Sequence, residues 1–431
     1  MSRRFGAARA IAIDITPLRE SPAYRALWIG QIISLMGTQM RYVAVAYQVF
    51  VITDSTVAVG LIGLAEVIPL VIFSILGGAI ADRRDRRQLI AWSQVLSLLT
   101  ASALAFVSFG ESPSLFWIYG LTAVASAVNG IDRPARSAMV PQLIPPGTLS
   151  AAMALRQVVF QITQIVGPAL AGLLLAQVEI GWVYAIDAIT YVAAMIALHW
   201  VPSTPITAGG DESSMQSIKE GLRFAVRTPV LLSIFSIDLV AMIFGMPRAV
   251  FPELATETFD VGPEGLGILY AAISAGALIG ALTTGWVKRV RRQGRAVLIA
   301  VTIWGLTITL AGLSLWSFWL TLVFLALAGA ADVISAVFRG TMLQEVTPDE
   351  LRGRISAVQI MVVTGGPRVG DIEAGLVAGA FGAPASVVIG GVACLVGTGM
   401  IAKVFPQLRN YETISQAEQQ DQLEIEAQGS D

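Results

Sequence analysis

Eight ionisable side chains lie inside long apolar stretches of this sequence: Arg41, Glu66, Asp187, Asp238, Asp332, Arg368, Asp371 and Glu373. In hydrocarbon surroundings each such charge costs about 3 kcal/mol or more unless it is paired or hydrated, so each needs a partner or a task. Desolvation works against the charged form of a carboxylate. Glu66 and Asp238, near the middle of their apolar runs, therefore have the chemistry of proton carriers. The competing role for both is a satisfied contact between helices. Arg368 and Asp371 are three residues apart and share a helix face, where they either meet a ligand or neutralise each other. Arg41 and Arg368 can attract an anion, or displace a proton by pairing with a carboxylate. Gln157, Gln161 and Gln164 fall at 4 and 3 spacing, which gives one hydrogen-bonding face. That face either lines a polar path or holds two helices together, and Gln31, Gln39, Tyr42 and Tyr47 add to the polar and aromatic inventory.

Other chemistries are excluded. There is one cysteine, Cys394, and one histidine, His199, so the chain has no internal disulfide and no Cys/His metal centre. No nucleophile, base and orienting group stand together, and no cofactor is called for, so an enzyme is not expected. A Gly-x-x-x-x-Gly-Lys-[Ser/Thr] phosphate loop is missing, so the chain cannot power itself with ATP. A net charge of −2 gives no footprint for nucleic acid.

The elements that hold these groups follow from composition. The chain has 431 residues, 55% hydrophobic and only 13% charged, with a mean hydropathy of +0.71. A soluble domain carries roughly 25% charged residues. The apolar excess must face lipid. One crossing takes about 20 residues, and twelve apolar runs are long enough: 27–50, 57–80, 89–109, 115–132, 152–176, 182–201, 230–251, 265–287, 296–313, 318–338, 355–380 and 385–404. The fold class is all-α, a polytopic membrane protein of twelve transmembrane helices in two six-helix bundles. The segment before the first run is broken by Asp14, so a cleaved signal peptide is not expected.

Lysine and arginine set the direction. With the N-terminus inside, the inner segments hold clusters such as Arg83, Arg84, Arg86 and Arg87, or Lys288, Arg289, Arg291, Arg292 and Arg295. The outer loops hold acids, among them Asp54, Glu179, Glu257 and Glu264. Both termini are therefore expected in the cytoplasm of a bacterial inner membrane. The domains are a segment 1–26, a bundle 27–201, a linker 202–229, a bundle 230–404 and a Gln/Glu-rich tail 405–431, expected to be disordered. Within the linker, Met215, Ile218, Leu222 and Ala225 share one face of an amphipathic helix, which is expected to lie on the membrane.

The two halves repeat at an offset of 203 residues. Arg136, Met139 and Pro145 map onto Arg339, Met342 and Pro348; Gly167 maps onto Gly370; Ala171-Gly172-Leu173 maps onto Ala374-Gly375-Leu376. Transporters made of repeated halves place their substrate site between them, near the middle of the bilayer.

Twelve spans, a central linker and this repeat resemble the major facilitator superfamily. Gly78-Ala-Ile-Ala-Asp82-Arg83-Arg84-Asp85-Arg86-Arg87 is similar to its loop signature Gly-x-x-x-Asp-Arg-x-Gly-Arg-Arg, with Asp85 where the family has Gly. Gly167-Pro168-Ala-Leu-Ala171-Gly172 is similar to the end of its antiporter motif, although Thr163 replaces an upstream Gly. The segments 267–285 and 341–355 resemble enterobactin-type siderophore exporters, a subgroup that shades into macrolide and multidrug efflux proteins. The resemblance implies that spans 1, 2, 4, 5, 7, 8, 10 and 11 line a cavity. That makes Arg41, Glu66, Asp238, Arg368 and Asp371 cavity groups, and leaves Asp187 and Asp332 as structural residues. It also implies a cytoplasmic latch in which Asp82 faces a helix N-terminus and Arg86 or Arg87 pairs with Asp132. The alternative is that these arginines only set topology.

The function expected is secondary active export of a small siderophore-like molecule, by alternating access with proton antiport, by a protein working as a monomer in the bilayer. The alternatives are a general multidrug or macrolide pump, a non-transporting sensor on the same fold, and the membrane subunit of an ATP-driven pump.

Overall fold

The computed structural model describes residues 14–81, 84–203 and 214–413. Twelve long helices run through them: α1 Pro22–Thr53, α2 Thr56–Ala81, α3 Arg86–Ser108, α4 Leu115–Leu143, α5 Leu149–Leu175, α6 Ile180–Leu198, α7 Pro229–Phe244, α8 Gly262–Leu282, α9 Gln293–Leu313, α10 Phe318–Val346, α11 Arg352–Phe381 and α12 Ala383–Val404. No strand occurs among the described residues. Ten described helical segments are long and apolar enough to cross a membrane. The two long helices left out are α1, which holds Arg25 and Arg41, and α11, which holds Arg352, Arg354, Arg368, Asp371 and Glu373.

Local sequence sets the helix ends. Ser21 caps α1, accepting a hydrogen bond from the Tyr24 amide, with Pro22 at the first helical position. Asp85 caps α3, accepting from the Arg87 amide at 2.9 Å. The departure from glycine at position 85 thus has a physical reason: the residue starts the next helix. α7 ends at Phe244, and Arg248 follows in a short 3-10 turn at the acidic end. The acidic end therefore carries one arginine that the sequence places inside span 7.

By mutual contact the chain forms two units, one of residues up to 215 with 248–271, the other of 216–247 with 272–431. The second half thus lends its 248–271 segment, including the first part of α8, to the first unit. In that unit α1 packs on α5 and α6, α3 on α4 and α6, and α2 on α4. In the second, α7 packs on α11 and α12, and α9 on α10 and α12.

Glycines let these helices touch backbone to backbone, as close packing in lipid requires. A Cβ on Gly167 of α5 would lie 2.5 Å from the Gln39 Cβ of α1. A Cβ on Gly370 of α11 would lie 2.4 Å from the Met242 carbonyl oxygen of α7. Gln39 and Met242 are themselves 203 apart, as are Gly77 of α2, which meets Ile131 of α4, and Gly280 of α8, which meets Ala330 of α10. The repeat is therefore one of contacts as well as of residues.

Two segments differ from the sequence reading. In the linker helix Ser214–Arg227, Gly221 and Ala225 are buried, and a Cβ on Gly221 would lie 2.7 Å from the Arg354 carbonyl oxygen; Leu222 points outward. Met215 and Ile218 lie where side chains are not described. In the tail, residues 405–413 are held in place. Leu408 is buried, the Tyr411 hydroxyl donates to Glu345 at 2.8 Å, and Arg292 pairs with Glu412 at 2.9 Å. Burial and the adjacent Glu345 raise the pKa of the Tyr411 hydroxyl, so it keeps its proton and remains a donor.

The approach of α8 to α10 gives a stability test. A Cβ on Gly276 would lie 1.7 Å from the Ala326 carbonyl oxygen, whereas nothing lies within 4 Å of one on Gly399. Gly276→Ala is expected to cost at least about 1–3 kcal/mol, and Gly399→Ala to be neutral or slightly stabilising. Thermal unfolding monitored by size-exclusion in detergent checks both; equal midpoints would contradict the packing.

Candidate functional site

In the first unit the Arg41 guanidinium meets the Asp187 carboxylate of α6 at 3.1 Å, with side-chain exposures of 8% and 0%. The surroundings are built for that pair. A Cβ on Gly37 would lie 2.4 Å from an Asp187 oxygen, so glycine leaves the room that the carboxylate fills. The Tyr191 hydroxyl, which acts electrostatically on Arg41, lies 3.0 Å from the Thr38 hydroxyl. The Thr190 hydroxyl donates to the Asp187 carbonyl at 2.6 Å. About two turns further along α1, Tyr184 donates to Gln48 at 2.8 Å, and Gln48 donates to Ser108 of α3 at 2.9 Å. Arg41 is thus committed to a polar seam with α6 inside its own bundle. Glu66 of α2 is half-buried and acts electrostatically on Arg41.

The α5 glutamines separate. Gln157 is exposed, and Gln161 is buried with an amide nitrogen that has no hydrogen-bond partner. Gln164 accepts a hydrogen bond from Gln39 of α1. Gly167, Pro168 and Gly172 are all buried, and Gly172 abuts Gly267 of α8, each so placed that a Cβ would come within 3.0 Å of the other's backbone. Sequence reading took Gly172 as half of a motif; its partner Gly267 needed the structure.

In the second unit Asp238 of α7 meets Arg339 of α10 at 3.0 Å, with exposures of 6% and 5%. Asp332, two turns earlier on α10, reaches the same guanidinium nitrogen at 3.7 Å. From sequence, Arg339 stands only as the repeat match of Arg136. The signal that would have found it is its seven-residue spacing from Asp332, which puts both on one face of α10. On α11, Asp371 is buried, Glu373 is half-buried, and Arg368 donates to the Thr364 carbonyl at 2.7 Å.

At the arginine-rich end, Asp82 and Arg83 lie outside the described residues, and Gly78 is half-buried. Asp132 pairs with Arg136 one turn along α4. Arg86 donates to the Ala138 carbonyl at 2.9 Å, and Arg87 to the last carbonyls of α6, Leu198 and His199, at 3.4 and 3.5 Å. A cation there favours the negative end of the helix dipole. Arg136 and Arg339 are repeat-related, and each pairs with an acid of its own unit. Among the described residues no cluster of three or more His, Cys, Asp or Glu could hold a metal ion.

The Arg41–Asp187 pair has a thermodynamic signature. Removing one partner of a buried pair costs about 3–5 kcal/mol, whereas replacing both with apolar residues can be neutral. Arg41→Met or Asp187→Leu alone is expected to lower stability strongly, and the double variant to recover most of the loss. Unfolding midpoints of the four proteins check this; additive losses would show that the two charges do not depend on each other.

Comparison with known proteins places this architecture. The model of the family described as transmembrane secretion effector matches residues 12–428. The enterobactin exporter EntS of Escherichia coli strain K12 is 28% identical over 400 residues, covering 93% of this chain and 95% of that protein. The same exporter from Shigella boydii serotype 18 is also 28% identical over the same shares. Among solved structures, the nucleoside transporter NupG superposes with a TM-score of 0.67 at 15% identity, covering 90% of this chain and 99% of that one. A bacterial homologue of the human lysosomal transporter Spinster, inward-facing and unoccupied, superposes with a TM-score of 0.71 at 14% identity, covering 90% and 98%. These structures share the fold.

Proposed function

The chain belongs to the transmembrane secretion effector family of the major facilitator superfamily, and on that premise we propose that it exports a small siderophore-like molecule by proton antiport. It is a multi-pass membrane transporter, and its relatives are transporters rather than enzymes. The substrate reading rests on similarity along almost the whole chain to exporters of enterobactin. Export by alternating access, inner-membrane placement with both termini in the cytoplasm, and function as a monomer are parts of the same proposal.

The observation that carries the coupling reading is the Asp238–Arg339–Asp332 group. Asp238 cannot take a proton and keep a full ion pair with Arg339. Protonation therefore loosens the α7–α10 contact, and Asp332 offers the freed guanidinium a second carboxylate on its own helix. Proton binding and helix movement become one event. Glu66, half-buried and electrostatically linked to Arg41, is the corresponding carrier in the first unit. Arg368 and Asp371 contribute to substrate recognition on α11, with Gln157 and Gln161 on α5.

A broader multidrug or macrolide pump is the second reading. It is favoured by the engagement of Arg41 with Asp187, which neutralises that cation instead of leaving it to select an anionic substrate.

Inverted membrane vesicles test both. With an imposed proton gradient, a radiolabelled catecholate siderophore is expected to accumulate and to be released by a protonophore. Glu66→Gln is expected to lower the rate at least tenfold. Accumulation that ignores the protonophore would overturn antiport. Transport of a cationic dye but not of the catecholate would select the multidrug reading.

A further inference from the structure

The linker helix Ser214–Arg227 has two opposite faces. Gly221 and Ala225 are buried, with Gly221 against the backbone of Arg354, and the Glu220 carboxylate pairs with the Arg354 guanidinium at the start of α11. This contact fixes the rotation of the helix. At 100° per residue it turns Lys219, Leu222, Arg223, Val226 and Arg227 to the other side. All five are exposed, Leu222 at 52% and Val226 at 55%. The face thus carries three cations and two apolar side chains one turn apart. Among the described residues of this helix the one acid, Glu220, is paired with Arg354.

Position adds to chemistry. Only Thr228 separates this helix from Pro229, the first residue of α7. The face is therefore held where the chain enters the apolar layer, at the arginine-rich end. Cations beside exposed aliphatic residues on one side of a helix match the chemistry of an anionic bilayer surface, where headgroups take the charges and the acyl boundary takes the apolar pair.

We propose that the outward face of the linker helix docks on anionic phospholipid headgroups, with Leu222 and Val226 entering the acyl boundary and Lys219, Arg223 and Arg227 meeting the phosphates. The occupant is the anionic leaflet itself, chosen by charge complementarity. The Glu220–Arg354 pair and the Gly221 contact act as the clip that presents this face. The proposal rests on the reading that the arginine-rich end lies at a lipid surface. It does not rest on the substrate or on proton coupling.

The test uses the full chain in nanodiscs, with Leu222→Cys carrying an environment-sensitive fluorophore; the native thiol, Cys394, is buried. In phosphatidylcholine containing phosphatidylglycerol, the probe is expected to shift to the blue and to be quenched by spin-labelled lipid. In phosphatidylcholine alone the quenching should fall severalfold. Each cation is worth roughly fivefold in attraction to an anionic surface, screened within a Debye length. K219Q/R223Q/R227Q, or high salt, should therefore reduce the anionic response to the neutral level. Helical content and elution volume check that the variant is folded. Glu220→Gln in the same background is expected to broaden the emission by loosening the clip. Equal quenching in both bilayers, no change in the charge variant, or displacement by millimolar inorganic phosphate would each overturn the proposal. The last would show a small-anion site, and a water-like emission in both bilayers would show a face covered by neither. No transport is measured, so failure of the export reading leaves this result unaffected.

Discussion

An unpaired charge in hydrocarbon is the constraint on which this structure depends. Charges at mid-membrane persist only where something answers them, and here the answers come from within each unit. Asp187 answers Arg41 across the α1–α6 seam, and Asp238 with Asp332 answers Arg339 across α7 and α10. The pairs differ in kind. Arg41–Asp187 is a buried one-to-one pair, with Gly37 giving the carboxylate its space and Tyr191 and Thr38 beside it in the seam. Arg339 has two acids within 4.0 Å and therefore two arrangements of similar charge balance. The first behaves as a rivet and the second as a proposed switch. A buried element with two satisfied states is what coupled movement requires, because packed interiors change between discrete arrangements.

The second organising feature is backbone proximity. Packing in lipid gains little from hydrophobic transfer, so helices associate through close contact of small residues. Gly167 on α5 and Gly370 on α11 make the same approach to α1 and α7, and Gly77 and Gly280 repeat the contact between the second and fourth helices of each half. The charged seams lie on helices already held by these contacts, so the ion pairs orient bundles that the glycines assemble. At the arginine-rich end, the linker helix and residues 405–413 are held by side chains of the second unit, through Arg354 and Glu345.

Most of the architecture was legible in the sequence, because apolar length and the positions of arginine are strong, redundant signals. Twelve helices and their order follow from them, and the 203-residue repeat from residues matched in one register. Helix ends were less legible: Asp85 reads as a broken motif until its carboxylate is seen capping α3, and Arg248 reads as part of span 7 until that helix is seen to stop at Phe244. Partners were least legible. Arg41, Glu66, Asp238, Arg368 and Asp371 stand out as charges in apolar runs, but a run does not say which way its helix is turned. Asp187 reads as a structural residue and Arg339 only as a repeat match, and both prove to be the partners of residues singled out for transport. Pairing depends on rotation and on neighbours distant in sequence, which periodicity alone does not encode. The amphipathic linker shows the same limit, since its apolar residues divide between a buried and an outward face.

If the α7–α10 group couples proton binding to movement, removing the proton site should separate two activities that the native protein joins. The most direct measurement compares gradient-driven accumulation with substrate counterflow at zero gradient, in proteoliposomes containing Asp238→Asn. The account predicts that counterflow persists while accumulation against the gradient is lost, because the helices can still move but no longer carry a proton. Accumulation equal to that of the native protein would contradict the assignment of Asp238 and Arg339 as the switch.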